Sequence, residues 1–472
     1  MLAKTIMKGL NKKGRQVHDL IVALISSKVF LVGSFVWFAV QGLFFAITIR
    51  VGLPPDENYH LSLIKLFSEH SPSPFLADQD GYLALGEVVH TPFFLYHYLM
   101  SFPYLLVGDS EWGYVVLRLL NLALALGSMY LVYRIAGELK VSKLVRNLSI
   151  FMLVNTLMFV FLSAAVSYDN LFIFLSLATI LFLLRLLKGV TAYRFLLFGV
   201  AMAAGSLIKV NFLPVAFICL AVLIFRYRNR FSTIWPALSH SFMARKRLNS
   251  ILGIVLGVLT ILVIQRYGYN VLKYHTYAPS CPQVQTLQEC RRSPLFVRNE
   301  HISRTPLRAT KDPFEYVYDW VPLIQARTYG IFAHRELPAL KLILAWSQIL
   351  IVLGVVAIAR VWRREDKLLT LTLGISLFYV AIVLLENYGA YTSSGRFGFA
   401  LHGRYLFAVL PLLYVLGNHY TLKLLRDNYT KTLFLAVTIA VFFAASLPTF
   451  IYKSSELWYA DRFKQTRTYL LP

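Results

Sequence analysis

Cysteine is scarce in this chain, which holds only three cysteines in 472 residues. Cys219 lies in a long apolar run and is interpreted as a small buried residue. Cys281 and Cys290 lie nine positions apart in a polar segment, and no second pair of ligands has a spacing suited to zinc. A structural zinc site is therefore not expected. If the polar segment faces an oxidising compartment, a disulfide between Cys281 and Cys290 is expected.

Acidic residues are also few, with 23 Asp and Glu against 47 Lys and Arg, so that the formal net charge is +24. In a soluble protein this excess would suggest nucleic-acid binding. Here no basic domain stands outside the hydrophobic runs, so we expect no nucleic acid as partner. Hydrophobic residues make up 57% of the chain and the mean hydropathy is +0.60. Because about 20 apolar residues cross a bilayer as a helix and such runs recur, the sequence predicts an all-α polytopic membrane protein.

The apolar runs predict about eleven transmembrane helices in one bundle. They lie near residues 29–49, 113–136, 147–165, 171–187, 194–209, 211–226, 250–267, 339–359, 368–385, 405–420 and 431–451. Around them we expect a basic cytoplasmic segment 1–28, a membrane domain 29–452 and a periplasmic tail 453–472. The first run has neither the length nor the cleavage pattern of a signal peptide, so it is interpreted as an uncleaved first span.

Charge asymmetry predicts the orientation of these spans. Every loop expected inside is basic, whereas segment 50–112 carries two basic and eight acidic residues. This follows the positive-inside rule and predicts a cytoplasmic N-terminus, with the bacterial inner membrane as the location. Three segments are then expected on the periplasmic side, at 50–112, 268–338 and 386–404. The first contains an apolar aromatic stretch that we expect to form helices lying along the membrane interface.

Two adjacent carboxylates, Asp56 and Glu57, follow the first span in the stretch LPPDENYH. Acids at this position can simply stabilise the N-terminus of the next helix. Alternatively, a carboxylate held partly out of water beside the membrane can take a proton from a hydroxyl. The carboxylate oxygens of this pair are also suitable ligands for Mg²⁺ or Mn²⁺. A divalent cation is therefore an alternative cofactor, although none is required.

Cations for a phosphate-bearing ligand occur in two places. Arg396, His402 and Arg404 lie in the third outside segment, and Lys209 lies at an outer helix end. An arginine fork suits a pair of phosphate oxygens. Contact of these side chains with bulk lipid phosphates is the alternative for Arg404 and Lys209.

Tyr168 and Asp169 occupy a short predicted turn in AVSYDNLFIF. Asp followed by Asn is ordinary turn chemistry. Contact with a sugar or a metal is the alternative interpretation. The two interpretations remain open at this point.

The layout resembles the GT-C superfamily of integral membrane glycosyltransferases, which includes protein O-mannosyltransferases, aminoarabinose transferases and arabinosyltransferases. An acidic pair after the first span, here in PPDENYH, is followed by interface-lying helices and a long bundle. The chain is similar, more narrowly, to a bacterial membrane-protein family that reads PPDEPxH early and GRYLLP late. The late motif appears here as GRYLFAVLP, which begins at Gly403.

The resemblance implies a polyprenyl-phosphate-linked sugar as donor and a glycan or glycolipid acceptor, with membrane lipids around the bundle. No P-loop or Rossmann fingerprint is found, which agrees with a donor that is not a nucleotide. Asp56 is the expected general base, and Glu57 is expected to orient the acceptor, hold a cation or exchange roles with Asp56. The residues expected to bind the donor phosphate are Arg404, Arg396 and Lys209. Those expected to contact substrate are His60, His402, Tyr405, Tyr168 and Asp169.

Two other functions share this pattern. A lipid-linked glycan ligase or polymerase would use the same donor chemistry but transfer a long chain. A lipid or solute transporter would place ionisable residues in the middle of its spans, where this sequence has few.

Overall fold

The structure is a computed structural model that describes residues 15–70, 91–229, 231–292, 294–305, 307–362 and 367–463. Its first half contains the helices α1 Lys28–Thr48, α2 Glu57–His70, α3 Leu95–Val107, α4 Glu111–Glu138, α5 Lys143–Val154, α6 Leu157–Ser163, α7 Tyr168–Lys188, α8 Ala192–Ser206, α9 Phe212–Tyr227 and α10 Phe231–Ala244. Its second half contains α11 Lys246–Val263, a π-turn Ile264–Gly268, α12 Tyr269–Tyr274, α13 Cys281–Val284, α14 Leu287–Cys290, α15 Pro294–Arg304, α16 Pro313–Tyr329, β1 Ile331–Phe332, β2 Glu336–Leu337, α17 Lys341–Val361, α18 Lys367–Ser394, a 3₁₀ turn Gly403–Ala408, α19 Leu410–Leu424, α20 Asn428–Ala445, α21 Leu447–Lys453 and two short 3₁₀ turns, Glu456–Trp458 and Asp461–Phe463.

Within the described ranges, seven helical segments are long and apolar enough to cross a membrane. They are α1, α4, α7, α11 with α12, α17, α18, and α20 with α21. Helices α5 and α6 bend by 68° at their junction and form an eighth span if they are counted as one. The all-α polytopic fold is thus confirmed, and the protein is a multi-pass membrane protein.

The predicted count of about eleven spans is not confirmed, because three of the predicted runs form helices of only 15 or 16 residues in the described ranges. The runs 194–209 and 211–226 correspond to α8, with 15 residues, and α9, with 16 residues. A non-helical break around the buried Lys209 separates these two helices. The run 405–420 is divided between the 3₁₀ turn and α19.

The core is built around α7, which packs against α4, α8 and α9. Nine of its thirteen buried positions are Leu, Ile, Phe or Ala, as expected for a helix surrounded by other helices. Its first residue, Tyr168, is therefore fixed at one end of the bundle. Lys188, its last residue, is fixed at the other end.

The first outside segment contains α2 and α3, which pack against each other. These are the two helices of the described part of 50–112; residues 71–90 of that segment lie outside the described ranges. Their orientation along the membrane interface stays a prediction.

The C-terminal part of the chain packs against the C-terminal end of α1. The backbone N–H of Arg50 donates to Trp458 O at 3.0 Å, and that of Ala460 donates to Thr48 O at 2.9 Å. Residues 454–463 of the predicted tail therefore lie at the same end of the bundle as Asp56. Residues 464–472 of that tail, and residues 1–14 of the N-terminal segment, lie outside the described ranges.

The second outside segment reaches the same end of the bundle. Cys281 and Cys290 are joined in a disulfide there. The β1–β2 hairpin is antiparallel and contacts the turn after α1, where the backbone N–H of His334 donates to Leu53 O at 3.3 Å. The turn before Asp56 is thus covered by the second outside segment.

Candidate active site

A tight turn carries Asp56 between α1 and α2. Gly52 has φ +83° and Asp56 has φ +57°, with two buried prolines between them. Asp is one of the few non-glycine residues that adopts this left-handed conformation readily. The Asp56 carbonyl accepts from His60 N at 2.9 Å, so its main chain begins α2. Its carboxylate, however, accepts a hydrogen bond from Arg404.

Arg404 lies in the 3₁₀ turn that precedes α19. Its Nη2 donates to Asp56 Oδ2 at 2.6 Å, and its Nε lies 3.6 Å from Asp169 Oδ2. A Cβ on the preceding Gly403 would lie 2.4 Å from Arg327 O, so only glycine lets this turn pack against the backbone end of α16. That close packing fixes Arg404, whose side chain is 6% exposed.

Lys209 lies in the break between α8 and α9 and donates to Asp169 Oδ1. Its Nζ lies 4.6 Å from the ring centre of Tyr168 and 4.7 Å from that of Tyr405, where cation–π attraction adds to the ion pair. Asp169 is held in the first turn of α7, and Ser167 Oγ accepts from its backbone N–H at 3.2 Å. Two cations and two carboxylates therefore form one cluster.

This cluster opens into a cavity of about 700 Å³ at the end of the bundle. Asp56 and Arg404, 348 positions apart in the sequence, are both on its wall. Six of the predicted site residues line this cavity: Asp56, Tyr168, Lys209, His402, Arg404 and Tyr405.

The charges of the cluster set the protonation of its neighbours. Burial raises the pKa of Asp56, but the charge of Arg404 and its hydrogen bond outweigh burial and hold that pKa at about 2. Burial lowers the pKa of His60 and of His402 to about 3 each, and the positive charge of Arg404 adds to this effect. At neutral pH the carboxylate of Asp56 is therefore ionised and both imidazoles are neutral.

Glu57 does not face the cavity, and this corrects the catalytic and cation-binding roles expected for it. Its side chain is fully buried. Arg118 forms a bidentate ion pair with it, in which Nε donates to Oε1 at 2.8 Å and Nη2 donates to Oε2 at 2.7 Å. The backbone N–H groups of Gly52 and Val166 donate to the same two oxygens at 2.9 and 3.1 Å. Because four donors occupy its two oxygens, this carboxylate stabilises the turn that carries Asp56 and is not available to a substrate.

Three further predicted residues lie off the cavity wall: His60, Asp169 and Arg396. Asp169 is 1% exposed, and its carboxylate pairs with Lys209 and Arg404 behind the wall. His60 is 1% exposed, and its Nδ1 lies 2.9 Å from Nε2 of His97, so it supports the wall from behind. His97, which sequence reasoning did not select, lines the cavity itself. Arg396 is not among the described residues that line the cavity, so the phosphate contact expected for it does not fit its position.

Other wall residues were missed, and for most of them nothing in the local sequence indicates a site. Arg298, Asn299 and Ile302 of α15 face the cavity from the second outside segment. Asn211 also lines it, and its Nδ2 lies 3.5 Å from Oε2 of Glu386 on α18. Its position two residues after Lys209 was the signal available in the sequence.

The arrangement offers little to a divalent cation. Across the part of the chain that the structure describes, no group of three or more His, Cys, Asp and Glu side chains is placed to hold a metal. Of the adjacent acids, Asp56 is paired with Arg404 and Glu57 is saturated by Arg118 and backbone donors. The Asp56–Glu57 pair therefore does not fit Mg²⁺ or Mn²⁺.

Residues 90–245 match the model of the Dolichyl-phosphate-mannose-protein mannosyltransferase family. Protein mannosyltransferases are among the GT-C enzymes that the motifs resemble. Over these residues the match agrees with the resemblance to the GT-C superfamily. The matched third of the chain includes His97, Tyr168, Asp169 and Lys209 of the candidate site, but neither Asp56 nor Arg404.

Solved structures of similar shape include ArnT from Cupriavidus metallidurans in the apo state, at 14% identity and TM-score 0.47, covering 85% of this chain and 61% of that one. The oligosaccharyltransferase AglB from Archaeoglobus fulgidus, with an inhibitory peptide and dolichol-phosphate, matches at 13% identity and TM-score 0.47, covering 90% and 56%. An apo form of the Archaeoglobus fulgidus enzyme matches at 14% identity and TM-score 0.45, covering 94% and 60%. The chain thus spans about 60% of the length of these structures. Among curated proteins, no match is found.

Proposed function

We propose that this protein is a membrane glycosyltransferase that moves a sugar from a polyprenyl-phosphate-linked donor to a hydroxyl of a cell-envelope glycan or glycolipid. The reaction takes place in the cavity at the end of the bundle, on the periplasmic face of the bacterial inner membrane. One observation carries the proposal: an ionised carboxylate, Asp56, and a fixed guanidinium, Arg404, share that cavity. The mannosyltransferase family match over residues 90–245 supports it.

Arg404 and Lys209 form the binding site for the donor phosphate. Both side chains line the cavity and both are held by Asp169, which is only 1% exposed and so remains a fixed counter-ion. Asp56 differs, because its side chain is 39% exposed. A phosphate oxygen that approaches Arg404 therefore displaces Asp56 and leaves Asp169 in place.

Displacement changes the basicity of Asp56. While Arg404 is its partner, the pKa of Asp56 stays at about 2 and the carboxylate is a weak base. A phosphate bound to Arg404 neutralises that positive charge and adds a negative charge nearby, and both effects raise the pKa of the carboxyl group. Donor binding thus converts Asp56 from an ion-pair partner into a general base.

Transfer is then a single displacement. The acceptor oxygen forms a bond to the anomeric carbon while the bond from that carbon to the phosphate oxygen breaks. The acceptor proton passes to Asp56, and the released polyprenyl phosphate, with one more negative charge, stays on Arg404 and Lys209. The anomeric configuration is inverted. Positioned proton transfer of this kind contributes a factor of about 10² to 10⁴.

The test is to incubate the purified protein with a labelled polyprenyl-phosphate sugar and acceptor lipids in vesicles. We expect labelled single-sugar product from the wild type and from Asp109→Asn, a matched control whose carboxylate pairs with Lys65 on the exterior. Appearance of long glycans would assign the ligase or polymerase function instead. Movement of the donor across the vesicle without any transfer would overturn the enzymatic proposal.

A further inference from the structure

A second hollow, of about 430 Å³, lies at the far end of the bundle from the active-site cavity. Helix α4 begins beside Glu57, which Arg118 binds, and ends at Glu138 in the hollow. Helix α7 runs the same way, from Tyr168 in the cavity wall to the end that carries Arg185 in the hollow wall. At 1.5 Å per residue these helices span about 30 to 40 Å, so the hollow lies at the opposite membrane surface.

The wall of this hollow is strongly basic, and we call it the basic hollow. Four arginines from four separate segments line it together with one acid: Arg134, Glu138, Arg185, Arg194 and Arg245. Thr191, Tyr193 and Ser241 add hydroxyl groups to the same wall. Arginines gathered in this way repel one another unless an anion lies between them.

The single carboxylate of the basic hollow does not balance its charge. Glu138 Oε1 accepts from Arg185 Nε at 2.9 Å, and its Oε2 accepts from Lys188 Nζ at 2.7 Å. Arg194 Nη1 donates to backbone carbonyls, including Gly189 O at 2.8 Å, and Arg245 packs over the ring of Tyr193 at 5.1 Å. Arg134 and Arg245 are exposed, and the ion pairs of Glu138 involve neither of them.

The surroundings of the basic hollow are those of a lipid headgroup layer. Helix α10, which supplies Ser241, presents Trp235 and Met243 with 68% and 66% of their surface exposed. Tryptophan is characteristic of the membrane interface. On the neighbouring α9, Phe217 and Phe225 are also exposed, at 66% and 71%, and give acyl chains an apolar surface.

We propose that the basic hollow binds the phosphate headgroup of an anionic phospholipid in the leaflet opposite the active-site cavity. Arg134 and Arg245 take the phosphate oxygens, and the hydroxyl groups of Thr191 and Tyr193 contact the rest of the headgroup. The Ser241 hydroxyl is already hydrogen-bonded to Ala192 N and Leu238 O. The acyl chains lie along the exposed face of α9. This site is independent of the proposed transfer reaction, because none of its residues lies on the cavity wall.

The test compares lipid retention by native mass spectrometry in micelles that contain phosphatidylglycerol or phosphatidylcholine. Each basic contact at a membrane surface changes affinity about fivefold, so the double variant R134Q/R245Q is expected to weaken phosphatidylglycerol binding about 25-fold. The matched control is R226Q, an exposed arginine at the same end of α9 that does not line the hollow. We expect its affinity to change less than about twofold.

Three results decide the proposal. Wild-type affinity for phosphatidylglycerol in R134Q/R245Q overturns it, provided that the variant melts and elutes as the wild type does. Equal loss of affinity in R226Q also overturns it, because binding would then follow overall charge. The third measurement adds inorganic phosphate to the protein in phosphatidylcholine micelles. If inorganic phosphate binds as tightly as phosphatidylglycerol, and this binding is lost in R134Q/R245Q, the site binds a free anion and the lipid proposal is overturned.

Discussion

Arg404 donates from Nη2 to Oδ2 of Asp56 at 2.6 Å, which joins two residues 348 positions apart in the chain. The two sides of this ion pair differ in freedom, because the Arg404 side chain is 6% exposed and that of Asp56 is 39% exposed. The guanidinium is fixed by its surroundings and the carboxylate is at the cavity edge. We therefore expect an anionic substrate to displace Asp56 and not Arg404, and the first two predictions depend on this asymmetry.

Replacing Asp56 by Asn removes the proposed base and keeps its shape. Transfer is expected to slow by about 10² to 10⁴-fold, the range of general-base contributions. Donor affinity should stay the same or increase, since the phosphate no longer has to displace the Asp56 carboxylate from Arg404. Initial rates and donor titrations measure the two quantities separately. Undiminished turnover in D56N would exclude Asp56 as the base.

Replacing Arg404 by Lys keeps the charge but removes the planar fork. A lysine at a site that requires a fork loses paired hydrogen bonds, so donor affinity should fall by about tenfold or more. Arg396→Gln is the matched control, because Arg396 belongs to the same segment and lies off the described wall. Titration with polyprenyl phosphate alone measures this effect. If R404K and R396Q bind polyprenyl phosphate with equal affinity, Arg404 only contacts bulk lipid phosphates and does not bind the donor.

Glu57→Gln tests the structural role assigned to this residue. It leaves Arg118 buried without its counter-charge, and breaking a buried pair in this way costs about 3 to 5 kcal/mol. The yield of folded protein and its melting temperature should fall. The specific activity of the folded fraction should stay near that of the wild type. A variant that folds normally but has no activity would instead give Glu57 a part in the chemistry.

The buried histidines predict an acid-sensitive fold. The pKa of His60 is about 3 in the folded protein, because of burial and the nearby Arg404, whereas an unfolded histidine binds a proton at about 6.5. Between these values the unfolded state holds more protons, so stability falls as pH falls below about 6.5, by up to about 1.4 kcal/mol per pH unit for this group.

Melting temperatures near neutral and mildly acidic pH check this sign. Their difference should shrink in His60→Asn and stay unchanged in His301→Asn, which alters an exposed histidine of α15. A pH dependence in H60N identical to that of the wild type would contradict the assignment.

The sequence allowed the main features of the fold and cavity to be predicted. Long apolar runs indicate spans because apolar side chains are stable in the bilayer and a helix hydrogen-bonds its own backbone groups there. The basic loops expected inside and the acidic segment 50–112 led to the prediction that Asp56 and Arg404 lie in outside segments, and the structure brings both side chains to one cavity. Lys209 and His402 were selected from the same reasoning and also line it.

What failed depended on contacts that no local pattern reveals. Asp56 and Glu57 are adjacent, yet the first faces the cavity and the second turns inward to Arg118, which lies 61 positions away in an apolar run. Hydropathy also joined segments that the fold breaks, as in the run 405–420, which is divided between the 3₁₀ turn and α19. The contribution of α15 to the cavity wall follows from the packing of a long loop, which local sequence does not determine.

The most direct measurement is a density map of the protein with a polyprenyl phosphate bound. We predict that the phosphate lies within hydrogen-bond distance, about 3 Å, of the Arg404 guanidinium and close to Lys209, and that the Asp56 carboxylate has turned away from Arg404. A phosphate bound elsewhere, with the pair between Asp56 and Arg404 intact, would contradict it.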